Sequence, residues 1–289
     1  MFERYLSRDQ IEPWKRSAYF MGAWMTLLIG VSAPAQAQPS GSPTTLIESS
    51  TIQFIPDTPP GADRGSTAQK VELGSRGPCL PLLRAEHGYL TALIPESAVE
   101  FTVSETPVVW AYIPDAAADI GRMVLTLRHQ QSGHVQRFDL DTSSLSPGVV
   151  HIPWLGTPMA VGDTYDWALS IFDSCDDSSG PSERYVVGTV QRQPLSPALQ
   201  RQLNRAVTQR DRAAAYAQHG IWYDALSHLG EVYQAAPDNP QLASDWASLL
   251  GVLDLNLANY GISFNAAALS NKPLLECCNQ LPNLADSEP

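Results

Sequence analysis

The densest run of chemistry-bearing side chains is Asp173-Ser174-Cys175-Asp176-Asp177-Ser178-Ser179-Gly180. Clustered carboxylates and hydroxyls on one loop are the donor type Ca²⁺ takes, about six to eight oxygens at a time. The spacing is not that of an EF-hand loop, and acidic loops between strands are commonly just solvated. Calcium and plain solvation are therefore the two readings of this segment. His129, His134 and His151 fall in or beside runs that read as strands. A metal site needs convergent ligands at short, regular spacing, and scattered strand histidines do not supply it. The sequence has no G-x-S-x-G elbow, H-E-x-x-H helix, Walker loop or dinucleotide fingerprint, and no His stands in a triad context. No catalytic residue, metal ligand or cofactor-binding residue is assigned, and the chain is expected not to be an enzyme.

Two aromatic groups have the right type for recognition. Trp110 and Tyr112 alternate on one strand and so share a face. Turned inward they are core; turned outward they offer a platform for a peptide or a sugar. Trp222 and Tyr223, with Trp246 further on, are expected either to contact a partner or to seal the seam between two parts of the molecule. Four cysteines follow the leader: Cys79, Cys175, Cys277 and Cys278. Cys79–Cys175 is the expected disulfide, a closure worth about 4 kcal/mol in the chain-entropy model. Adjacent Cys277 and Cys278 are not expected to bridge each other readily.

The start of the chain indicates where these groups would work. Lys15 and Arg16 precede an apolar run from Ala18 to Val31, and Ala33-Pro34-Ala35-Gln36-Ala37 carries the small-x-small cleavage signature. Cleavage is expected between Ala37 and Gln38, which makes residues 1–37 a signal peptide and the product periplasmic or secreted. The apolar run is short of the roughly 20 residues a membrane-crossing helix needs, so no integral membrane segment is expected after cleavage. The formal net charge of the 289-residue chain is −12. Loss of the leader removes one more basic than acidic side chain. An acidic surface repels phosphate backbones, so nucleic acid is a poor partner.

Periodicity sets the elements that must position these side chains. Residues 38–76 are rich in Pro, Ser, Thr and Gly and read as a disordered tether. Only Thr51-Ile52-Gln53-Phe54-Ile55 within them looks strand-like. Over 77–193 the pattern has period two, with strands expected at Leu90–Ile94, Val108–Ile113, Met123–His129, Val135–Leu140, Val149–Ile152, Tyr165–Phe172 and Tyr185–Arg192. Several short strands between turn signals predict an antiparallel β-sandwich of immunoglobulin-like type. Tyr165 and Trp167, two apart after a glycine turn, suit its core. Over 194–255 the period turns helical, with helices expected at Pro197–Ala206, Gln209–Gln218, Trp222–Ala235 and Pro240–Leu253. Residues 256–289 read as an irregular C-terminal tail. The fold class is α+β.

The helical segment Ala213-x-x-Tyr216…Gly220-x-Trp222-x-x-Ala225…Leu229…Val232…Pro237 resembles a tetratricopeptide repeat, with Gly220 at the turn and small Ala213 and Ala225 where helices approach. About one and a half repeats are present, fewer than the roughly three needed for independent stability. A second resemblance covers about residues 74 to 255. It rests on Ser75-Arg76-Gly77-Pro78-Cys79, Leu90-Thr91-Ala92-Leu93-Ile94-Pro95-Glu96, Thr106-Pro107 with Trp110-Ala111-Tyr112-Ile113-Pro114, Val161-Gly162-x-x-Tyr165-x-Trp167, Cys175 with its Asp-rich loop, and Gly220-Ile221-Trp222-Tyr223-Asp224-Ala225-Leu226. In these the chain resembles the family called domain of unknown function 928, found in cyanobacteria. The resemblance implies an exported protein without an assigned activity.

The expected role is that of a non-catalytic protein-binding adaptor of the cell envelope, with a protein partner and no cofactor. A carbohydrate-binding module and a hydrolase with an unrecognised site are the alternatives.

Overall fold

Residues that alternate between apolar and polar in the sequence alternate between inside and outside in space. In the computed structural model, which describes residues 50–56, 88–95, 100–174, 183–253, 255 and 265–278, this builds two sheets. Their strands are β1 (Thr91–Ala92), β2 (Glu100–Thr102), β3 (Val109–Ile113), β4 (Ile120–His129), β5 (Val135–Leu140), β6 (Gly148–Ile152), β7 (Thr164–Asp173), β8 (Glu183–Arg192) and β9 (Leu274–Glu276). One sheet has the order β1-β3-β6-β9, the other β2-β8-β7-β4-β5. Pairing is antiparallel except where β2 runs parallel to β8 and β9 parallel to β6. On β7 the buried Tyr165, Trp167, Leu169 and Ile171 face the core, and Val186, Gly188 and Val190 of β8 do the same. Gly188 stands opposite Trp167, and a Cβ there would lie 2.6 Å from the indole.

The helices are α1 (Pro197–Leu203), α2 (Gln209–Gln218), α3 (Trp222–Ala235), α4 (Pro240–Leu250) and α5 (Ala266–Ser270). Their starts follow local chemistry. Ser196 caps α1 ahead of Pro197, Thr208 and Asp211 form a reciprocal capping box on α2, and Asn239 caps α4 ahead of Pro240. Gly220, at φ 69°, makes the turn into α3. Among the described residues no helix is long and apolar enough to cross a membrane.

Every residue of β3 is buried, because helices cover the face of its sheet that carries Trp110. The Trp110 indole lies 5.8 Å from Trp246 of α4, stacks on His151 of β6 at 5.2 Å, and donates from Nε1 to Ser227 Oγ of α3 at 3.1 Å. Gly230 of α3 sits flat against the same ring. Sheets and helices thus share one hydrophobic core, and Ser49–Pro289 forms one compact unit.

The start of α3 is bonded to both sheets. Trp222 Nε1 donates to the carbonyl of Leu93, beside β1, at 2.8 Å. The Tyr223 hydroxyl accepts from Trp167 Nε1 of β7 at 2.7 Å. Asp224 accepts from Thr102 Oγ1 of β2 at 2.7 Å and from the Val103 amide at 3.1 Å.

Two expectations are corrected by this fold. The strand expected at Leu90–Ile94 pairs only over Thr91–Ala92, although the Leu93 amide still donates to Trp110. The region 256–289, read as irregular, contributes α5 and the edge strand β9. Like β2, β9 is three residues long and is held by its neighbour's free edge rather than by a pattern of its own. Within residues 38–76, the strand-like stretch around Thr51–Ile55 is docked on the helices as extended chain without joining a sheet. The leader, the remainder of the tether, Cys79 and Cys175 lie outside the described residues.

Two outcomes follow from this packing. Ala is the better helix former at position 230 by about 1 kcal/mol, but its methyl would press on a ring already held by His151 and Trp246. Gly230→Ala is expected to destabilise the protein by about 1–3 kcal/mol, read as a lower urea midpoint. An unchanged or raised midpoint would show that Trp110 is free to retreat. Asp224 gives the second. Burial pushes its carboxyl up to about 6, against the hydrogen bonds from Thr102 and Val103 that pull it down. The folded value lies above the ordinary one near 4, so the folded protein holds this proton more tightly. Its contribution favours the folded state below about pH 4 and is lost as pH rises through about 6. The stability difference between wild type and Asp224→Asn should therefore shift by about 2–3 kcal/mol, against the wild type, from pH ~4 to pH ~7. A difference flat across that range in urea titrations would contradict it.

Candidate functional site

The residues singled out for chemistry do not converge. Asp173, at the start of the acidic loop, accepts from Arg184 Nε at 2.9 Å and Nη2 at 2.7 Å. The same guanidinium, 0% exposed, donates through Nη1 to Asp115 at 2.9 Å. Asp173 therefore neutralises a buried arginine, and a cation beside it would meet a fixed positive charge. Ser174 Oγ donates to the Ala118 carbonyl. The rest of that loop, 175–180, lies outside the described residues. His129 pairs with Ser132 Oγ at 2.7 Å and packs on Tyr165, while His134 is exposed on the following turn. His151 belongs to the other sheet, where burial lowers its basicity. Among the described residues no group of three His, Cys, Asp or Glu side chains is placed to hold a metal ion. The sulfurs of Cys277 and Cys278, expected to avoid each other, are brought into contact. Cys278 takes a left-handed backbone there, at φ 90°.

The aromatic candidates do converge, but inside the protein. Trp110 and Tyr112 are 3% and 0% exposed, which resolves the question of which way their strand faces. Trp222, Tyr223 and Trp246 are equally buried, so these three are the seam and not an accessible contact surface. The reason is physical. A short helical hairpin cannot hide its own apolar face, and this one uses the sheets to do so.

One arrangement on the described surface has the form of a recognition site, and the sequence reading passed over its polar members. Arg210 of α2 and Asp245 of α4 face each other across a cleft, Nε to Oδ2 at 2.6 Å and Nη2 to Oδ1 at 3.1 Å. Asp245 is completely buried. Its Oδ1 accepts from Gln241 Nε2 at 3.1 Å and from the backbone amide of Ile52 at 3.0 Å. Arg210 Nη2 donates to the Ser50 carbonyl at 3.0 Å. The Ile55 amide donates at 3.0 Å to the carbonyl of Ala217, in the last turn of α2, where helix carbonyls lack internal partners. Ile52 and Phe54 point inward, and Phe54 meets Trp222 edge-on with ring centres 5.0 Å apart. Gln53 and Ile55 point outward.

Residues 50–55 are thus an extended chain read through its backbone, with two apolar side chains two apart in pockets. Beyond Ile55 the cleft opens into a cavity of about 230 Å³ lined by Pro56, Gln193, Pro194, Leu199, His219 and Ile221 among others. The energetics of this contact nearly cancel. Burying two such side chains gains about 1.5–3 kcal/mol each, and the backbone bonds about 0.5–1.5 kcal/mol each. Ordering these six residues costs about 1–2 kcal/mol per residue. The segment is held, but only marginally. The sequence signal for it was Ile52-x-Phe54, an apolar pair of period two in a stretch otherwise made of turn formers.

Comparison with known proteins places the fold in a family without adding a ligand. No curated protein matches the chain. The family model described as Domain of Unknown Function matches residues 71–261, a span that runs from before β1 to beyond α4 and so takes in the seam and both walls of the cleft. The chain belongs to the family described as Domain of Unknown Function (DUF928).

Proposed function

We propose that this chain is an exported, non-catalytic protein-binding adaptor of the cell envelope, in which a sandwich of immunoglobulin-like type carries a tetratricopeptide-like helical surface. The observation that carries the reading is the extended segment 50–55, seated between α2 and α4 by main-chain bonds to Asp245, Arg210 and Ala217. A cleft that reads backbone and fills two alternate pockets is the arrangement by which domains recognise peptides. Export is the part of the reading that rests on the leader: cleavage between Ala37 and Gln38 would deliver residues 38–289 to the periplasm or the medium. The acidic balance of the chain fits a protein partner better than a polyanion. The carbohydrate alternative drew on Trp110 and Tyr112, and burial removes that support. The hydrolase alternative has no feature among the described residues in its favour.

The test is affinity capture from the native envelope with residues 38–289 as bait. It is run beside the same chain carrying Arg210→Gln and Asp245→Asn, and beside a surface control, Glu183→Gln. The reading expects a defined set of proteins that the wild type and the control retain and the cleft variant loses. Recovery of the same set by all three would show that the helical cleft is not the binding surface.

A further inference from the structure

The cleft is already occupied, and by a segment that the fold does not need in order to close either sheet. Residues 50–56 enter no ladder. They touch α2, α4 and the start of α3 through main-chain bonds and two side chains, and the balance drawn above leaves them marginally held. Their connection to the sheets is long. Phe54 packs against the Trp222 ring and Leu93 accepts a bond from the same indole, so both ends of the connecting chain approach one side chain. Yet residues 57–87 lie between them, far more chain than that gap requires. Release of residues 50–56 would break no strand pairing, since they belong to neither sheet.

We infer that the cleft between α2 and α4 takes an extended aliphatic–x–aromatic segment of a partner polypeptide in trans, with residues 51–55 of the chain itself as its resident competitor. This deepens the protein-binding reading and rests on it. The structure defines the chemistry of the partner segment position by position. The aliphatic residue fills the Ile52 pocket and must carry a backbone N–H for Asp245, which excludes proline there. The spacer faces solvent and is unrestricted. The aromatic residue meets Trp222. The residue after it needs an N–H for the Ala217 carbonyl. The residue two before the aliphatic one, Ser50 in the resident segment, offers its carbonyl to Arg210. Because Arg210 is neutralised by Asp245 within the cleft, the site makes no demand for a charged peptide. It reads an apolar pair and main-chain direction.

The resident segment sets the affinity. A segment covalently joined to its own cleft is presented at an effective concentration on the order of millimolar, and an incoming peptide binds only the fraction of molecules whose cleft is open. For a segment of ~10 µM intrinsic affinity the apparent affinity of an outside peptide is then lowered about a hundredfold.

The experiment uses the chain 38–289 and a fluorescent peptide spanning residues 49–57, followed by anisotropy. The expected result is weak binding to the wild type and about a hundredfold tighter binding to Ile52→Ser/Phe54→Ser, whose own segment no longer competes. A peptide with proline in place of Ile52 should lose at least about tenfold. Binding equal in wild type and variant, or absent from both, overturns the inference. Should the double variant lose its fold, hydrogen exchange on the wild type decides the matter. The Ile52 and Ile55 amides must exchange at least about a hundredfold faster than the Leu229 amide of α3, and protection equal to Leu229 would make residues 50–55 a permanent part of the core. Light scattering on the same samples gives the source of the segment. A dimer that disappears in Ile52→Ser/Phe54→Ser would identify it as a second copy of this chain and would support occupancy in trans. Peptide binding without envelope partners would leave this inference standing and defeat the adaptor reading, so the two fail separately.

Discussion

Three consecutive side chains at the start of α3 hold the molecule together. Trp222 reaches Leu93 just after β1, Tyr223 reaches β7, and Asp224 reaches β2, each through a polar atom on an otherwise buried side chain. Such groups must find partners once water is excluded, and an unpaired one costs about 1–3 kcal/mol. Trp222 and Tyr223 bring large apolar area, and their single polar atoms fix where that area must lie. A purely hydrophobic contact would let the helix slide over the sheets; these bonds select one position. Burial pushes the Tyr223 hydroxyl far up, so it stays neutral and can both accept from Trp167 and lie near the Thr189 carbonyl.

With α3 fixed, the other features fall into place. Gly230 is carried onto Trp110, and Trp246 closes over the same ring. That covers the face of β3 which would otherwise lie open, and it explains why a helical hairpin too short to stand alone is stable here. It also sets the distance between α2 and α4, and hence the width of the cleft where Arg210 meets Asp245. The seam is bonded to both sheets, and the cleft beside it is filled by residues 50–55, whose binding terms nearly cancel. The proposed recognition role rests on this difference between a scaffold bonded through three buried side chains and an occupant held outside both sheets.

Much of the framework was legible from the order of residues. Alternation marked β3 through β8 because each has several side chains that must choose a side, and the change to a helical period over 194–255 marked the helices that follow. What escaped had no local pattern. β2 and β9 are too short to show a period and exist because β8 and β6 present free edges. Arg184 stands in a strand as though it faced solvent, yet it points into the core because Asp115, 69 residues earlier, is waiting there. Asp245 reads as one more polar position on an amphipathic helix, and only the fold brings Arg210 and the Ile52 amide to it. The aromatics Trp222, Tyr223 and Trp246 were visible as special residues. Their types could not tell whether they face a partner molecule or the neighbouring sheet.

The central claim is that sheets and helices form one cooperative body locked at Trp222, Tyr223 and Asp224. Hydrogen exchange along a urea series, read separately on β7–β8 and on α3–α4, tests it most directly. The account predicts that amides of both regions lose protection at one shared urea midpoint. A helical region that opens at distinctly lower urea, while β7 and β8 remain protected, would contradict it.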